Sequence, residues 1–311
     1  MTGNHQPPLL IILGPTAIGK TGLAIAIAQA LNGEIIGADS RQIYQHMDIG
    51  TAKPTLAERQ EATHHLVDFV APDEDFTLAQ YQERAYDAIA DVTARGKLPL
   101  LVGGTGQYLT AVEEGWSIPR VPPNDALRAS LYEEAETIGN EAFHEKLAKV
   151  DTEAAEKIHP NNVRRVVRAL EVYLETGTPI SVLQRKKPPP YQIWTIGLKM
   201  NREPLYERAD RRVDLMIEAG FVNEVRRLLD MGYDRQLASM SALGYREIAS
   251  HLLDDVALDK AIELTKFSTH NFIRRQEVWF RGHDNGILWH NSDEINRDDL
   301  IDDIADWIRE M

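Results

Sequence analysis

The chain has 311 residues, enough for two domains or for one large domain carrying an insertion. Apolar residues make up 43% of it, yet no run approaches the roughly 18 to 20 needed to cross a bilayer, and the polar start Met1–Pro8 lacks the basic beginning of a secretory signal. The absence of cysteine excludes disulfides, thiolate zinc sites and cysteine nucleophiles, and the net charge of −14 argues against a nucleic-acid partner except where local patches escape the sum; a cytoplasmic enzyme is expected.

Leu9–Leu13 is a short unbroken apolar run, as expected of a buried parallel strand. It leads into Gly14-Pro15-Thr16-Ala17-Ile18-Gly19-Lys20-Thr21, which fits G-x-x-x-x-G-K-[ST], the phosphate-binding loop. The Ala-rich, proline-free stretch Gly22–Leu31 then predicts a helix, so strand, glycine loop and helix follow in the order the motif requires. Gly14 and Gly19 let backbone N–H groups approach a phosphate, and the helix N-terminus adds its positive end. Lys20 neutralises phosphate charge, and Thr21 offers a hydroxyl to magnesium. The motif specifies a polyphosphate without saying which, or whether a phosphoryl group is what moves.

Glu34–Ala38 predicts a second strand, with Asp39-Ser40-Arg41-Gln42-Ile43-Tyr44 at its end. Ligands of open α/β sheets sit beyond the carboxyl ends of the strands, so Asp39 is expected beside the phosphate loop. It suits a base or a magnesium–water ligand there, and equally a helix N-cap. A polar loop from His46 to Pro54 precedes a predicted strand over His64–Val70. His64 and His65 are neighbours on a strand and point to opposite faces, so they do not chelate one ion together. Phe76–Arg95 carries Leu78, Tyr81, Ala85 and Ile89 at helical spacing.

Leu98–Val102 reads as another buried strand, ending in Gly103-Gly104-Thr105-Gly106. A typical P-loop ATPase ends such a strand with an Asp for its metal. The glycines here permit close approach of a substrate, with Thr105 as a hydrogen-bonding side chain, or tight strand–helix packing. Pro119, Pro122 and Pro123 then mark a linker, and Asn124–Ile138, Asn140–Val150 and Asn162–Thr176 all read as helices. The expected organisation is an α/β P-loop core, residues 1–119 and 191–311, with an inserted all-helical domain over 120–190. Between Lys157 and Tyr191 the insertion holds seven lysines and arginines against two acids, a pattern that suits phosphate backbones or a solvated helix face.

Gln192–Leu198 returns to a strand. Arg208 and Arg212 follow, four apart on one helix face, placed to clamp a diphosphate or to pair with Glu207, Asp210 and Asp214. Ser241–Glu247 reads as a turn into a helix. Thr269–Arg281 interleaves Arg274, Arg275 and Arg281 with Trp279, which fits nucleic-acid binding or an amphipathic helix. The tail after Asp284 is acidic and expected to form a surface helix with no assigned role.

Taken together, these pieces resemble the tRNA dimethylallyltransferases, the bacterial tRNA-prenylating enzymes. The resemblance is carried by Gly14–Thr21, Asp39-Ser40-x-Gln42-x-Tyr44, Met47–Pro54, Gly103–Gly106, Arg168–Val172, Arg208-x-x-x-Arg212, Gly244–Glu247 and Arg275-Gln276, in the family's order from about residue 9 to about residue 290. It implies transfer of a dimethylallyl group from its diphosphate to the exocyclic amine of the adenine just 3′ of the anticodon, in tRNAs reading codons that begin with U. Magnesium is the implied cofactor. Asp39 would then be the base, and Lys20, Thr21, Arg208 and Arg212 would act on the diphosphate held by residues 14–21. The tRNA anticodon stem-loop would be met by Asp39, Ser40, Arg41, Gln42, Thr105, Arg128, Arg164, Arg165, Arg168, Gly244, Tyr245, Arg246, Arg274, Arg275 and Gln276, and the enzyme would act as a monomer. His270 departs from the family's arginine, which bears on one tRNA phosphate contact. Eukaryotic relatives carry a C-terminal zinc finger, which a chain without cysteine does not match. A P-loop small-molecule kinase and a non-enzymatic nucleotide switch or tRNA-binding module are the rival readings; the lack of an Asn-Lys-x-Asp motif weakens a GTPase.

Overall fold

The structure is a computed structural model that describes residues 6–284 and 286–311; the first five residues of the polar start lie outside the described residues. The chain divides into two compact units, Met1–Glu113 with Pro190–Met311, and Glu114–Pro189.

In the first unit β1 (Pro8–Leu13) runs into the loop and α1 (Lys20–Ala30), followed by β2 (Gly33–Ala38), α2 (Leu56–Glu61), β3 (His64–His65), α3 (Leu78–Ala94), β4 (Leu98–Gly103) and α4 (Gly106–Glu113). The second unit is helical: α5 (Asp125–Ile138), α6 (Asn140–Val150), α7 (Thr152–Lys157), α8 (Val163–Thr176) and α9 (Ile180–Leu183). Its ends are joined by a bridge between Trp116 and Lys186, so residues 114–119 belong to the helical unit and not to the core. The chain returns through β5 (Gln192–Lys199), α10 (Arg202–Glu218), α11 (Phe221–Asp230), a short 3₁₀ turn at Ser239–Ser241, α12 (Tyr245–Leu253), α13 (Leu258–Gly282), β6 (Leu288–Asn291) and α14 (Arg297–Arg309).

The strands form one parallel sheet in the order β3-β2-β4-β1-β5-β6. β1 lies at its centre, and Leu9, Leu10, Ile11 and Ile12 are fully buried, because side chains on both faces of a helix-covered parallel strand must be apolar. Leu10 and Ile12 pack with α1, α10 and α14 on one face, while Leu9 and Ile11 pack with α3 and α4 on the other. A third cluster joins α11, α12 and α13 to Ile43, Tyr44 and Met47 of the loop after β2. Among the described residues no helix is long and apolar enough to cross a membrane.

Two expectations need correction. The strand expected over His64–Val70 shrinks to His64–His65, since Leu66 and Asp68 take positive φ (57° and 67°) and turn the chain away from β2. The acidic tail is not merely a surface helix: it adds β6 to the sheet beside β5, and α14 buries Leu300 and Ile304 against the α1 layer. β6 escapes notice because it is four residues long and half polar. The acids of α14 occupy its outer face, which hides the apolar stripe.

Candidate active site

The phosphate loop leaves the sheet where β1 ends. Gly14 is required there, since a Cβ would stand 2.7 Å from the carbonyl oxygen of Leu198 on β5. Gly19 holds φ at 100° and turns the chain into α1. The Lys20 ammonium folds over the loop and donates to the carbonyls of Gly14 (2.9 Å) and Pro15 (2.8 Å). Burial pushes its pKa down to about 8; Asp39 opposes that shift and Arg212 adds to it. The loop is fastened on two further sides. Its Thr16 N–H donates to Gln276 Oε1 (2.9 Å), and Ser292 Oγ donates to the Ile18 carbonyl (2.6 Å). These bonds fix the shape of the loop, so its remaining N–H groups need no reorganisation when an anion arrives.

Asp39 caps the turn after β2 with one oxygen only. Oδ1 accepts from the N–H groups of Arg41 (2.8 Å) and Gln42 (3.4 Å), while Oδ2 accepts no hydrogen bond among the described residues. The cap and the base readings of Asp39 are therefore compatible, one oxygen for each. Thr105 Oγ1 accepts from the Ser40 N–H (3.0 Å), and the Gln42 amide donates to the carbonyls of Thr51 (3.2 Å) and Ala52 (2.9 Å), so both residues brace the turn that carries Asp39.

Two chambers meet at this carboxylate. The first, about 390 Å³, is lined by the phosphate loop, Asp39, Arg208, Arg211 and Arg212. The second, about 240 Å³, shares Thr16, Asp39, Thr51 and Arg212, and its walls include Val213, Met216, Phe221, Leu243 and Phe272. The Arg212 guanidinium lies 3.5 Å from Thr16 Oγ1. Burial lowers its pKa, with Asp39 opposing. Arg208 is more exposed and pairs with Asp293 (2.5 Å). A cationic chamber for an anion, a second chamber of mixed lining with one apolar wall beside it, and a carboxylate between them suit displacement of a phosphate-type leaving group, with a proton removed at the boundary.

The glycines after β4 serve packing first. A Cβ on Gly103 would meet the Ala38 carbonyl at 2.0 Å, on Gly104 the Gln276 amide at 2.4 Å, and on Gly106 the Trp279 ring at 2.2 Å. They let α13 lie directly on the strand end, although Gly103 and Gly104 also line the first chamber.

Several residues expected at a tRNA surface stand elsewhere. Tyr245 is fully buried and donates its hydroxyl to Glu224 (2.6 Å). The Gly244 N–H is committed to Glu247 (2.9 Å), and a Cβ there would strike Phe221 at 2.6 Å. Gln276 is buried between Thr16 and the Gly104 carbonyl, to which it donates at 2.8 Å. A ligand as large as RNA does not reach such side chains without unpacking them.

Within the helical unit, Arg128 and Arg168 both grip the fully buried Glu171. Burial alone would raise that carboxyl, but the bonds from the Asn124 N–H, Arg128 and Arg168 outweigh it and hold the carboxyl below its usual value. These two arginines are thus internal braces, and a phosphate would have to break a buried pair to claim them. Arg164 and Arg165 are exposed and form no ion pair among the described residues. In the first unit Arg274 and Arg275 are exposed, and Arg275 stacks over Phe272 at 5.8 Å and lines the second chamber. Arg246 pairs with Glu247 (2.7 Å), and Arg41 bonds the Ala238 carbonyl (2.6 Å). His270, stacked on Tyr206, binds Asp210 (2.8 Å).

Three contributors, Arg211, Glu224 and Ser292, give no motif signal, and a fourth, Lys53, lies in a family motif that gives no hint of what it does. Arg211 lines the first chamber. Buried Glu224 accepts from three successive N–H groups, Asp48 (3.0 Å), Ile49 (2.8 Å) and Gly50 (3.1 Å), and so fixes the loop that carries Thr51. Buried Lys53 ties Asp48 (2.7 Å) to Asp68 (2.6 Å). Ser292 reaches the phosphate loop from the far tail. Only tertiary contact reveals these roles.

A family profile described as IPP transferase matches residues 42–283. The chain is 55% identical over 274 residues to a tRNA dimethylallyltransferase of Roseiflexus sp. (strain RS-1), covering 88% of this chain and 90% of that protein. It is 55% identical over 281 residues to the tRNA dimethylallyltransferase of Chloroflexus aggregans, covering 90% and 95%. Among solved structures it resembles the full-length tRNA isopentenylpyrophosphate transferase of Bacillus halodurans, with TM-score 0.71 and 40% identity over 97% of this chain and 96% of that one. It also resembles a eukaryotic dimethylallyltransferase captured acting on tRNA, with TM-score 0.76 and 28% identity over 92% of this chain and 74% of that one.

Proposed function

The chain belongs to the IPP transferase family and transfers a dimethylallyl group to tRNA; from that premise we propose that the donor is dimethylallyl diphosphate and the acceptor the exocyclic amine (N6) of the adenine 3′-adjacent to the anticodon, in tRNAs reading codons that begin with U. The observation that carries this reading is Asp39, which lines both the cationic chamber and the neighbouring one with the apolar wall, with one oxygen unbonded.

The bond between the prenyl carbon and the diphosphate oxygen breaks, and its electron pair leaves on the diphosphate. Lys20, Arg212, Arg208 and the loop N–H groups stabilise that growing charge. The adenine amine attacks the same carbon. Its lone pair is delocalised into the ring, so it is a weak nucleophile, and Asp39 Oδ2 accepts its proton as the new carbon–nitrogen bond forms. The adenine leaves the anticodon stack to reach the carboxylate. The apolar wall of the second chamber keeps water from the cation-like carbon.

Magnesium is the proposed metal. The Thr21 hydroxyl lines the first chamber and makes no hydrogen bond among the described residues, and no group of three or more His, Asp or Glu there could cage an ion. One hydroxyl fits a magnesium ion that takes its other ligands from diphosphate and water. When bound it supplies positive charge to the leaving group.

The exposed Arg274, Arg275, Arg164 and Arg165 are the proposed phosphate contacts for tRNA. The proposed working form is a monomer, acting in the cytoplasm. A P-loop kinase is disfavoured because β4 ends in Gly103 and is followed by Gly104, where that chemistry uses an Asp. Labelled dimethylallyl diphosphate with tRNA transcripts tests the position: label should enter a transcript with adenine 3′ of the anticodon and not one with guanine there. Equal labelling of both would overturn the proposed acceptor.

A further inference from the structure

Arg208 lines the phosphate-loop chamber, yet its guanidinium is already occupied by Asp293 at 2.5 Å. Asp293 stands on a firmly built turn. Ser292 Oγ donates to the Ile18 carbonyl of the phosphate loop (2.6 Å), and the Ser292 N–H donates to the Lys199 carbonyl at the end of β5 (2.9 Å). The N–H groups of Asp293 and Glu294 both return to Asn291, at 3.2 Å and 3.1 Å. The carboxylate is therefore held beside the loop by the fold itself. Both partners are nearly half exposed, 47% and 44%, so the pair is weak and easily exchanged. A diphosphate offers more charge and a bidentate fit to a guanidinium.

We propose that Asp293 is a positioning residue for Arg208: a carboxylate that holds this arginine at the chamber until the donor's diphosphate takes it, and that competes for it again when inorganic diphosphate must leave. The inference rests on the reading of the chamber as a diphosphate site. Its consequence runs against the usual effect of damaging a site, because removing the carboxylate strengthens anion binding.

The test is calorimetric titration of inorganic diphosphate with magnesium into the intact enzyme, together with donor kinetics. In Asp293→Asn the dissociation constant should fall about two- to five-fold, as expected for an exposed ion pair removed from competition. Donor KM should fall, and inhibition by product diphosphate should tighten by a similar factor. In an Arg208→Ala background the same substitution should change nothing. Glu294→Gln, which removes the neighbouring charge without touching Arg208, should do less than Asp293→Asn. Unchanged or weaker binding in Asp293→Asn would overturn the proposal, as would equal tightening in the Arg208→Ala background. If the unaltered enzyme bound no diphosphate at all, the reading of the chamber would fail and the proposal with it.

Discussion

Replacing Gln276 by Leu tests whether α13 braces the phosphate loop. The amide makes two bonds, accepting from the Thr16 N–H at 2.9 Å and donating to the Gly104 carbonyl at 2.8 Å. Leu removes both without enlarging the side chain. Thr16 borders the chamber, so water can replace its partner, and that loss should cost about 1 kcal/mol. Gly104 is buried beneath α13, so its carbonyl should bear nearer the full penalty of about 3 kcal/mol. The expected loss of stability is therefore roughly 2 to 4 kcal/mol, read from denaturant unfolding. With Thr16 no longer aimed, donor KM should rise about ten-fold, equivalent to about 1.4 kcal/mol of lost loop order. Gln276→Glu keeps the acceptor for Thr16 but sets a carboxylate against the Gly104 carbonyl and near the bound diphosphate. It should raise donor KM further while tRNA affinity holds. If the Leu variant stayed within about 0.5 kcal/mol of the parent, the range of an ordinary surface change, and its donor KM were unchanged, the brace would not exist.

Other outcomes follow from the same geometry. Asp39→Ala should lower kcat by at least about 100-fold with tRNA affinity nearly kept, and near-normal turnover would remove the base. Lys20 loses its charge as pH rises through about 8, so diphosphate affinity should fall above that pH in the parent and lack that step in Lys20→Met. The sign for stability is opposite. A lysine whose folded pKa lies below its unfolded value leaves the folded state with fewer protons between about 8 and 10.5, so this group's contribution to stability rises with pH there. Arg164→Ala and Arg165→Ala should each reduce the log–log salt slope of tRNA binding by roughly 0.7 to 0.9. Arg168→Ala should instead lower the melting temperature, because it strips a partner from buried Glu171, and a salt-slope change without loss of stability would reverse that assignment.

The core was legible where local chemistry and fold agree. Leu9–Leu13 is apolar on both faces because the strand is central, and the phosphate loop is a backbone motif whose glycines have no substitute. The place of Asp39 followed from the rule that ligands sit beyond strand ends. Motif membership was less informative about individual roles. Gly244, Tyr245 and Gln276 lie in segments that mark the family, yet they face inward, and no local pattern separates a buried amide clamp from an RNA contact. Arg128 and Arg168 misled for a related reason. Their shared partner Glu171 is one of only two acids in the basic stretch that holds Arg168, it lies 43 residues from Arg128, and only packing shows it to be fully buried. Glu224, Ser292 and Asp293 act across 174 or more, 274 and 85 residues of sequence respectively, separations at which no periodicity carries information.

The central claim is that the phosphate loop holds a leaving group while carbon, not phosphorus, is transferred. Dimethylallyl diphosphate labelled with ¹⁴C in the prenyl chain and ³²P in the diphosphate, incubated with enzyme, magnesium and unmodified tRNA, tests it directly. The ¹⁴C should appear on the adenine beside the anticodon and the ³²P as free inorganic diphosphate in equal amount, with no ATP required. Phosphorus label on tRNA, or turnover only when ATP is consumed, would contradict the account.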